Sequence, residues 1–343
     1  MTAHQTPDIE EDTRGVSRRL FITASAAAGL ALSQSPARAA IVRTDLASLP
    51  PYGNGTLPAG IRSRAVANVN GMTVHVLEAG FEESDRPAVL LLHGFPELAY
   101  SWRKVMLPLA AAGYHVIAPD QRGYGRTIGW DDSYDADPDP FRILNMVRDA
   151  VGLVYALGLR SVDAIVGHDA GAPVAAWSAL IRPDIYRSLA LMSSPFAGAP
   201  SLPFNTANGA ALPRPAPNDD ELDAELAKLD RPRKYYQNYQ RTRGANDDML
   251  HAPQGLHAFF RAYYHYKSAD WKGNKPFRLK ARTAEEMAKI PTYYVMDKDK
   301  GMAGTAAAAR TAPSAGTAAR AGVAQETAAP ERSRMAPNAG SAG

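Results

Sequence analysis

A short turn between a predicted strand and a predicted helix constrains this chain more than any other feature. Gly167-His168-Asp169-Ala170-Gly171 places an aspartate between two glycines in the pattern G-x-D-x-G. An apolar run over residues 162–166 precedes it, and an apolar segment over residues 172–181 follows it. A strand that turns at once into a helix exposes the central side chain of such an elbow at the end of a sheet. The pattern therefore predicts an α/β fold in which Asp169 is a nucleophile.

Strands and helices are predicted to alternate through the first half of the chain. Four apolar runs of strand length and two helical segments follow one another, over residues 87–92, 100–112, 114–118, 145–157, 162–166 and 189–192. Asn70-Gly71, between alternating segments, predicts a β-hairpin with a type I′ turn. This alternation predicts an α/β fold with a mainly parallel sheet, whose ligand sites lie beyond the carboxyl ends of the strands.

Composition divides the chain into four segments. Residues 1–40 form a leader, and residues 41–196 form the N-terminal part of the α/β core. Residues 197–300 begin with a stretch rich in Pro, Gly and Asn, become helical, and are predicted to form a lid inserted into the core. Residues 301–343 contain no Leu, Ile, Phe, Trp or Tyr, so we expect a disordered, low-complexity tail.

The leader has the features of a twin-arginine (Tat) export signal. Ser17-Arg18-Arg19-Leu20-Phe21 precedes a run of small and apolar residues that reaches Leu32, and Ala37-Arg38-Ala39 offers a cleavage site. The run is too short for a spanning helix, so no membrane span is expected in the mature protein. We expect the Tat export machinery as a partner and a periplasmic or secreted protein. The alternative is a disordered extension with a chance arginine pair.

Charge and cysteine content exclude several classes of function. The formal net charge of +3 is too small to indicate a nucleic-acid partner. The chain has no cysteine, which rules out disulfides, a thiolate nucleophile and a cysteine-based zinc site. The sequence implies no cofactor, and no metal site is visible in it.

A second loop is predicted to complete the site. His93-Gly94-Phe95-Pro96-Glu97 follows the strand at 87–92, and a tight glycine turn leaves the next backbone N–H groups free. We predict that the N–H groups of Phe95 and Ala170 form an oxyanion hole. His93, Pro96 and Trp102 are predicted to contact substrate. The alternative is a plain strand-end turn, with the His93 ring satisfied by local hydrogen bonds.

These motifs together resemble the epoxide hydrolases of the α/β-hydrolase superfamily. The matching segments run in order: His93-Gly94-Phe95-Pro96-Glu97, Ser101-Trp102-Arg103, Asp120-Gln121-Arg122-Gly123-Tyr124-Gly125 and Gly167-His168-Asp169-Ala170-Gly171. The resemblance implies that Asp169 attacks a carbon of a small apolar epoxide and forms an ester. It implies lid tyrosines that protonate the epoxide oxygen, with Tyr236 as the best match and Tyr235 and Tyr239 as neighbouring candidates. It also implies a late histidine that activates water.

The resemblance stops near Met302. No histidine follows His265, and neither Tyr nor Asp occurs after Met302, so the family's base is not found. We also expect the last strands and helices of the fold to be missing. A truncation or a frame shift near Ala303 would produce such a loss. We therefore expect ester formation without turnover.

Two other functions remain open. A haloalkane or haloacid dehalogenase uses the same aspartate, although Ala170 stands where those enzymes usually carry a halide-binding side chain. A non-catalytic, truncated product is the second alternative.

Other polar residues are predicted to have structural roles. Asp120 is expected to cap its turn and Arg122 to pair with a carboxylate. His75 and His115 fall inside predicted strands and are expected to be packed. The side chain of His168 is expected to face away from substrate.

Overall fold

The computed structural model describes residues 50–52, 55–196, 198, 219–271, 273 and 275–311. The predicted export signal lies outside the described residues, as do the rest of the chain before residue 50 and most of residues 197–218. The chain divides into two compact units. The first holds the residues up to Asp131 together with Asp137–Phe196, and the second holds Asp132–Ala136 and the residues from Ala197 onward.

A six-stranded sheet forms the centre of the first unit. Its strands are β1 (Ile61–Val69), β2 (Met72–Ala79), β3 (Ala88–Leu92), β4 (His115–Pro119), β5 (Ala164–His168) and β6 (Leu189–Met192). Their spatial order is β1-β2-β4-β3-β5-β6. β1 and β2 pair antiparallel, as do β2 and β4, whereas β4, β3, β5 and β6 run parallel. The predicted α/β fold with a mainly parallel sheet is confirmed.

Helices cover both faces of this sheet. After a 3-10 turn at Ala99–Trp102 come α1 (Arg103–Ala111), α2 (Ile143–Ala156) and α3 (Gly171–Ile181). Successive side chains of a strand point to opposite faces, so β3 contributes to two cores. Leu90 packs in one cluster with residues of α2 and α3, and Leu91 packs in another with Met106 of α1. The continuous apolar run of β3 is explained by burial on both faces.

The hairpin between β1 and β2 forms as predicted. Asn70 has φ 50° and Gly71 has φ 80°, and positive φ at both central positions defines a type I′ turn. Val69 pairs with Met72 across the turn. The register shifts between Val66 and Val69, so the rest of the hairpin pairs in a register in which Val66 lies opposite Val74.

The second unit contains short helices and one small sheet. Its elements are α4 (Asp219–Leu226), β7 (Arg233–Tyr235), α5 (Tyr236–Gln240), α6 (Ala245–Leu250), α7 (Leu256–Lys267), α8 (Ala284–Met287), β8 (Val295–Asp297) and α9 (Met302–Thr311). β7 and β8 pair antiparallel, with Lys234 opposite Met296. Phe259 and Tyr263 of α7 are buried at the centre of its main apolar cluster.

The tail differs from the expectation of disorder over its first residues. α9 occupies Met302–Thr311, and Met302, Ala303 and Ala306 are buried in the same cluster as α7. The carboxylate of Asp248 accepts a hydrogen bond from the N–H of Ala303 at 3.0 Å. The small side chains of α9 therefore pack closely against α7. This packing offsets the loss of conformational entropy that accompanies ordering of the segment. Residues 312–343 lie outside the described part of the chain.

The helices in the described part of the chain were compared with the length and apolar character that a membrane span requires. None of them is both long enough and apolar enough to pass through a membrane.

Candidate active site

Asp169 lies in a strained turn between β5 and α3. Its φ is 50°, a left-handed conformation that non-glycine residues seldom adopt. The Asp169 N–H donates to the carbonyl of Met192 at 3.1 Å, and the Asp169 carbonyl accepts from the N–H of Ala172 at 3.0 Å. Both sides of the turn are thus held by the sheet and by the helix. Strain of this kind persists only where surrounding structure enforces it, and it is concentrated at functional sites.

The two elbow glycines are required by close packing. A Cβ on Gly167 would lie 2.4 Å from the carbonyl oxygen of Gly171, and a Cβ on Gly171 would lie 2.5 Å from the carbonyl oxygen of Leu92. Either side chain would overlap backbone atoms, which have little freedom to shift. The spacing of glycines in the elbow therefore follows from the contact of α3 with the strand ends.

Sheet register brings the two sequence motifs together. Leu92, the last residue of β3, is paired with Gly167 of the adjacent parallel strand β5. The chain segments that leave these two strands consequently emerge side by side. The N–H of Phe95 donates a hydrogen bond to Oδ1 of Asp169 at 2.9 Å. One of the two predicted oxyanion donors thus contacts the side chain of the predicted nucleophile.

Ala170, the other predicted donor, follows the nucleophile at the start of α3. Its backbone is already helical, with φ −64° and ψ −20°. Its role as an oxyanion donor remains a prediction. Gly94 lies in close contact with Asp169, since a Cβ at Gly94 would lie only 2.3 Å from the Cβ of Asp169.

His93 is buried beneath the loop. Its Nδ1 bonds the carbonyl of Gly94 at 2.8 Å, and its Nε2 accepts from the N–H of Gln121 at 3.1 Å. Burial lowers the pKa of His93, which favours the neutral ring that this pairing requires. Both ring nitrogens are used within the protein, as the alternative interpretation of this loop expects.

The other two predicted substrate contacts are Pro96, which precedes the 3-10 turn, and Trp102, the last residue of that turn. Pro96 follows a cis peptide bond after Phe95, in a turn closed by a 3.1 Å bond from the N–H of Glu97 to the carbonyl of Gly94. Trp102 is only 8% exposed and packs in the cluster that contains Met106. Trp102 therefore contributes to the core on that face of the sheet.

Tyr124 is a site residue that the sequence analysis did not single out. Its ring meets the ring of His93 edge-on, with centroids 4.8 Å apart. Burial and the negative charge of Asp169 raise the pKa of Tyr124 to about 12. The phenol therefore stays protonated near neutral pH. Its position in the loop that follows β4, at the same sheet edge as the other two motifs, could have identified Tyr124 from the sequence.

A second contact joins the loop after β3 to the elbow. Nδ1 of His168 lies 3.0 Å from a carboxylate oxygen of Glu97, and both side chains are partly exposed. The pair is a salt bridge when the imidazole is protonated. Glu97 thus orients the ring adjacent to the nucleophile.

The structural roles predicted for the loop after β4 are confirmed. Asp120 accepts hydrogen bonds from the backbone N–H groups of Ala99 and Arg126 at 2.8 and 2.9 Å. Arg122 donates to both carboxylate oxygens of Asp149, at 2.7 and 2.8 Å. These bonds anchor the loop that carries Tyr124.

Tyr236 begins α5 in the second unit. Its ring centroid lies 5.1 Å from that of Tyr235 and 5.0 Å from that of Tyr294. Its N–H donates to the carbonyl of Tyr294 at 2.9 Å, which ties α5 to the segment before β8. Its hydroxyl accepts a hydrogen bond from the side-chain amide of Gln237 at 3.2 Å.

No metal site is found among the described residues. Nowhere in them do three or more His, Asp or Glu side chains lie close enough together to bind a metal ion.

Comparison with known proteins identifies the family. The family described as alpha/beta hydrolase fold matches residues 87–310. Epoxide hydrolase 3 of Siraitia grosvenorii is 45% identical over 138 residues, which cover 40% of each chain. An epoxide hydrolase of Caballeronia sordidicola is 42% identical over 137 residues, covering 40% of this chain and 38% of that one. This chain thus matches about two fifths of the length of these curated relatives.

A solved structure extends the similarity. An epoxide hydrolase from an endophytic Streptomyces superposes with a TM-score of 0.50 at 29% identity, covering 72% of this chain and 62% of that chain. The family match at residues 87–310 spans more than half of the 343 residues. The chain belongs to the α/β hydrolase fold family, and within that family it is similar to epoxide hydrolases.

Proposed function

We propose that this chain opens epoxides by covalent attack of Asp169. The observation that carries the proposal is the hydrogen bond from the Phe95 N–H to Oδ1 of Asp169. It fixes one carboxylate oxygen and leaves Oδ2 as the nucleophile. The similarity to epoxide hydrolases supports an epoxide as the electrophile. Apolar side chains such as Phe259 and Tyr263 in the second unit are buried, so they support packing and not a particular substrate.

In the first step, Oδ2 of Asp169 forms a bond to an epoxide carbon as the carbon–oxygen bond of the ring breaks. The released alkoxide takes a proton from a phenol, for which Tyr236 is proposed on the basis of the family resemblance. The product is a hydroxyalkyl ester of Asp169. Oδ1 becomes its carbonyl oxygen and keeps its bond to the Phe95 N–H.

In the second step, water attacks the carbonyl carbon of that ester, and the bond from this carbon to Oδ2 then breaks, so that Oδ2 leaves with the alkyl group as a diol. Negative charge then develops on Oδ1, where the N–H of Phe95 is already in place and the N–H of Ala170 is proposed to add a second donor. Water must lose a proton to a base for this step. The family's late histidine has no counterpart after His265 in this sequence. We therefore propose that the ester accumulates in this chain.

Intact-mass measurement after addition of styrene oxide tests both steps. We expect an added mass equal to one epoxide, carried by the peptide that contains Asp169, with little diol released. Asp169→Asn removes the nucleophile with little change of shape and should abolish the adduct. Rapid diol formation without a detectable adduct would contradict the accumulation of ester. Equal adduct formation by the unmodified protein and by Asp169→Asn would show that Asp169 does no chemistry.

We also propose that the leader directs export through the Tat machinery. The ordered arginine pair, apolar run and cleavage site support this. Cell fractionation of the protein and of an Arg18→Lys/Arg19→Lys variant tests it. Retention of the variant in the cytoplasm, with export of the original protein, is the expected result. Equal distribution of the two would exclude a twin-arginine signal.

A further inference from the structure

A chain of hydrogen bonds joins a serine, a histidine and an aspartate on the antiparallel side of the sheet. Oγ of Ser63 in β1 lies 2.8 Å from Nε2 of His75 in β2. Nδ1 of the same ring lies 2.7 Å from Oδ2 of Asp120, which follows β4. The three side chains thus have the connectivity of a serine nucleophile, a base and an orienting carboxylate.

The direction of the protons follows from the acid at the end of the chain. Burial by itself would raise the pKa of Asp120, but hydrogen bonds from His75 and from backbone N–H groups outweigh burial and hold the pKa below its usual range. An ionised carboxylate only accepts hydrogen bonds, so Nδ1–H of His75 donates to it. When the ring is neutral, the lone pair of Nε2 faces Ser63, and the serine hydroxyl donates to it.

Exposure differs sharply along this chain of hydrogen bonds. Asp120 is fully buried and His75 is 5% exposed, whereas Ser63 is exposed to solvent. The backbone N–H of His75 is also held, by Oγ1 of Thr127 at 3.0 Å. The base and its partner are therefore held rigidly, and the hydroxyl is open to a reagent.

An aromatic group lies beside the histidine. The ring of Tyr52 lies 5.9 Å from that of His75 and stacks on Tyr100 at 6.2 Å. The guanidinium of Arg126 lies over the Tyr52 ring at 4.4 Å. These flat, partly apolar surfaces suit an aryl group better than a strongly polar one.

This cluster is separate from the elbow. In the strand order, β1 and β5 are separated by β2, β4 and β3. Four strand spacings of about 4.8 Å place β1 about 19 Å from the strand that carries Asp169. A reagent bound at Ser63 would therefore occupy a different site from an epoxide bound at Asp169.

We propose that Ser63 is a second nucleophile, activated by His75 and Asp120, that accepts acyl groups from activated aryl esters. In the step proposed, Oγ of Ser63 bonds to the ester carbonyl carbon and its proton passes to Nε2 of His75. The bond from that carbon to the aryl oxygen breaks, and the aryl oxide leaves. The acyl group remains on Ser63, and the imidazolium returns its proton to solvent. This site is independent of the proposed epoxide chemistry.

Acylation by p-nitrophenyl acetate tests the proposal in the full chain. The reaction is run on the Asp169→Asn variant, so that any label is independent of the elbow, and labelled peptides are mapped by mass. Ser84 is an exposed serine bonded to the carboxylate of Asp85, and it serves as the internal comparison. We expect acetylation of Ser63 to be about 100-fold faster than that of Ser84, the range that a positioned base supplies. Equal labelling of the two serines would overturn the proposal.

A thiol at the same position gives a second measurement, which avoids altering the buried partners. The chain contains no cysteine, so Ser63→Cys and Ser84→Cys each introduce a single thiol. A thiol beside an imidazole ionises more readily than an isolated one. We expect iodoacetamide to alkylate the Ser63→Cys protein at pH 6 at least about tenfold faster than the Ser84→Cys protein. Equal rates, in two proteins with the same unfolding midpoint, would show that His75 does not activate position 63.

Discussion

The N–H of Phe95 donates to Oδ1 of Asp169 across 74 residues of sequence, at 2.9 Å. The bond exists because two adjacent parallel strands end level with each other and because Gly94 lets the loop backbone approach the aspartate. It orients the carboxylate before any substrate arrives. The geometry of attack therefore depends on the packing of a glycine as well as on the two bonded groups.

Gly94→Ala should damage both stability and ester formation. The new Cβ would lie 2.3 Å from the Cβ of Asp169, so the loop or the elbow must move. Overpacking of this kind costs about 1–3 kcal/mol. Small displacements of reacting groups cost as much as about 100-fold in rate, so we expect at least a tenfold slower appearance of the epoxide adduct. Urea unfolding and adduct kinetics measure the two effects.

Gly152→Ala is the matched control. Gly152 lies inside α2, and its new Cβ would lie 3.4 Å from a methyl carbon of Val69, an ordinary contact. Alanine in a helix interior is favoured over glycine by about 1 kcal/mol. We expect this variant to unfold at higher urea concentration with unchanged adduct kinetics. Similar losses in both glycine variants would mean that the elbow contact has no special role.

Asp149→Ala should destabilise the first unit strongly. Asp149 receives two hydrogen bonds from Arg122, and the two side chains are 12% and 9% exposed. Removing one partner leaves a nearly buried charge without compensation, which costs about 3–5 kcal/mol. Asp139→Ala breaks the exposed pair with Arg142, where the side chains are 57% and 74% exposed. That variant should change stability by less than about 1 kcal/mol in the same urea titration.

The double variant Arg122→Met/Asp149→Leu separates pairing from burial. Because it removes both charges, its loss of unfolding free energy should be smaller than the sum of the losses in the single variants Arg122→Met and Asp149→Leu. Additive losses would show that the two side chains do not interact energetically.

Glu78 should make stability depend on pH in the acid range. It is fully buried in β2, with Arg62, Arg64 and His115 within 2.8, 3.2 and 3.1 Å of its carboxylate. Burial would raise the pKa of Glu78, but hydrogen bonds from His115 and Arg62 and the charge of Arg64 outweigh it and lower the pKa. A folded pKa below the unfolded value of about 4.3 stabilises the protein above that pH, and the stabilisation is lost as pH falls through the folded pKa.

The measurement is the difference in free energy of unfolding between the unmodified protein and Glu78→Gln. We expect Glu78→Gln to be less stable than the unmodified protein at pH 7, and we expect this difference to narrow steadily below about pH 4.3. Glu83→Gln supplies the comparison at an exposed glutamate that pairs with Arg86, and its difference should be close to zero throughout. A stability difference at Glu78 that grows as the pH falls would mean that folding raises the pKa of this carboxyl instead of lowering it.

Charge placed on β6 should reduce aggregation. Leu189 and Met192 are 41% and 47% exposed on this edge strand, and an exposed apolar edge favours pairing between chains. Leu189→Lys and Met192→Lys should lower light scattering on heating, with stability changed by less than about 0.5 kcal/mol. Leu191 of the same strand packs against the core, so Leu191→Lys should destabilise the protein. An unchanged aggregation rate in both exposed variants would exclude β6 as the surface through which chains associate.

Local sequence patterns predicted the elements around the site well. Apolar runs located the four parallel strands, and Asn70-Gly71 located the hairpin, because strand periodicity and turn chemistry are short-range properties. The G-x-D-x-G pattern located Asp169 for the same reason. The helix at Met302–Thr311 escaped prediction, since its small residues are ordered by contact with α7 and not by their own composition.

Sequence by itself indicated the candidate nucleophile and determined the elbow and the α/β class of this chain, because each depends on neighbouring residues and their spacing. Only the tertiary structure decided the hydrogen bonds and ring contacts through which distant groups meet. Strand order and register set Phe95 on Asp169 and Tyr124 against His93. The same sheet placed Ser63 of β1, His75 of β2 and Asp120, which follows β4, in one hydrogen-bonded chain. Contacts between strands depend on the packing of the whole sheet, and no local pattern encodes them.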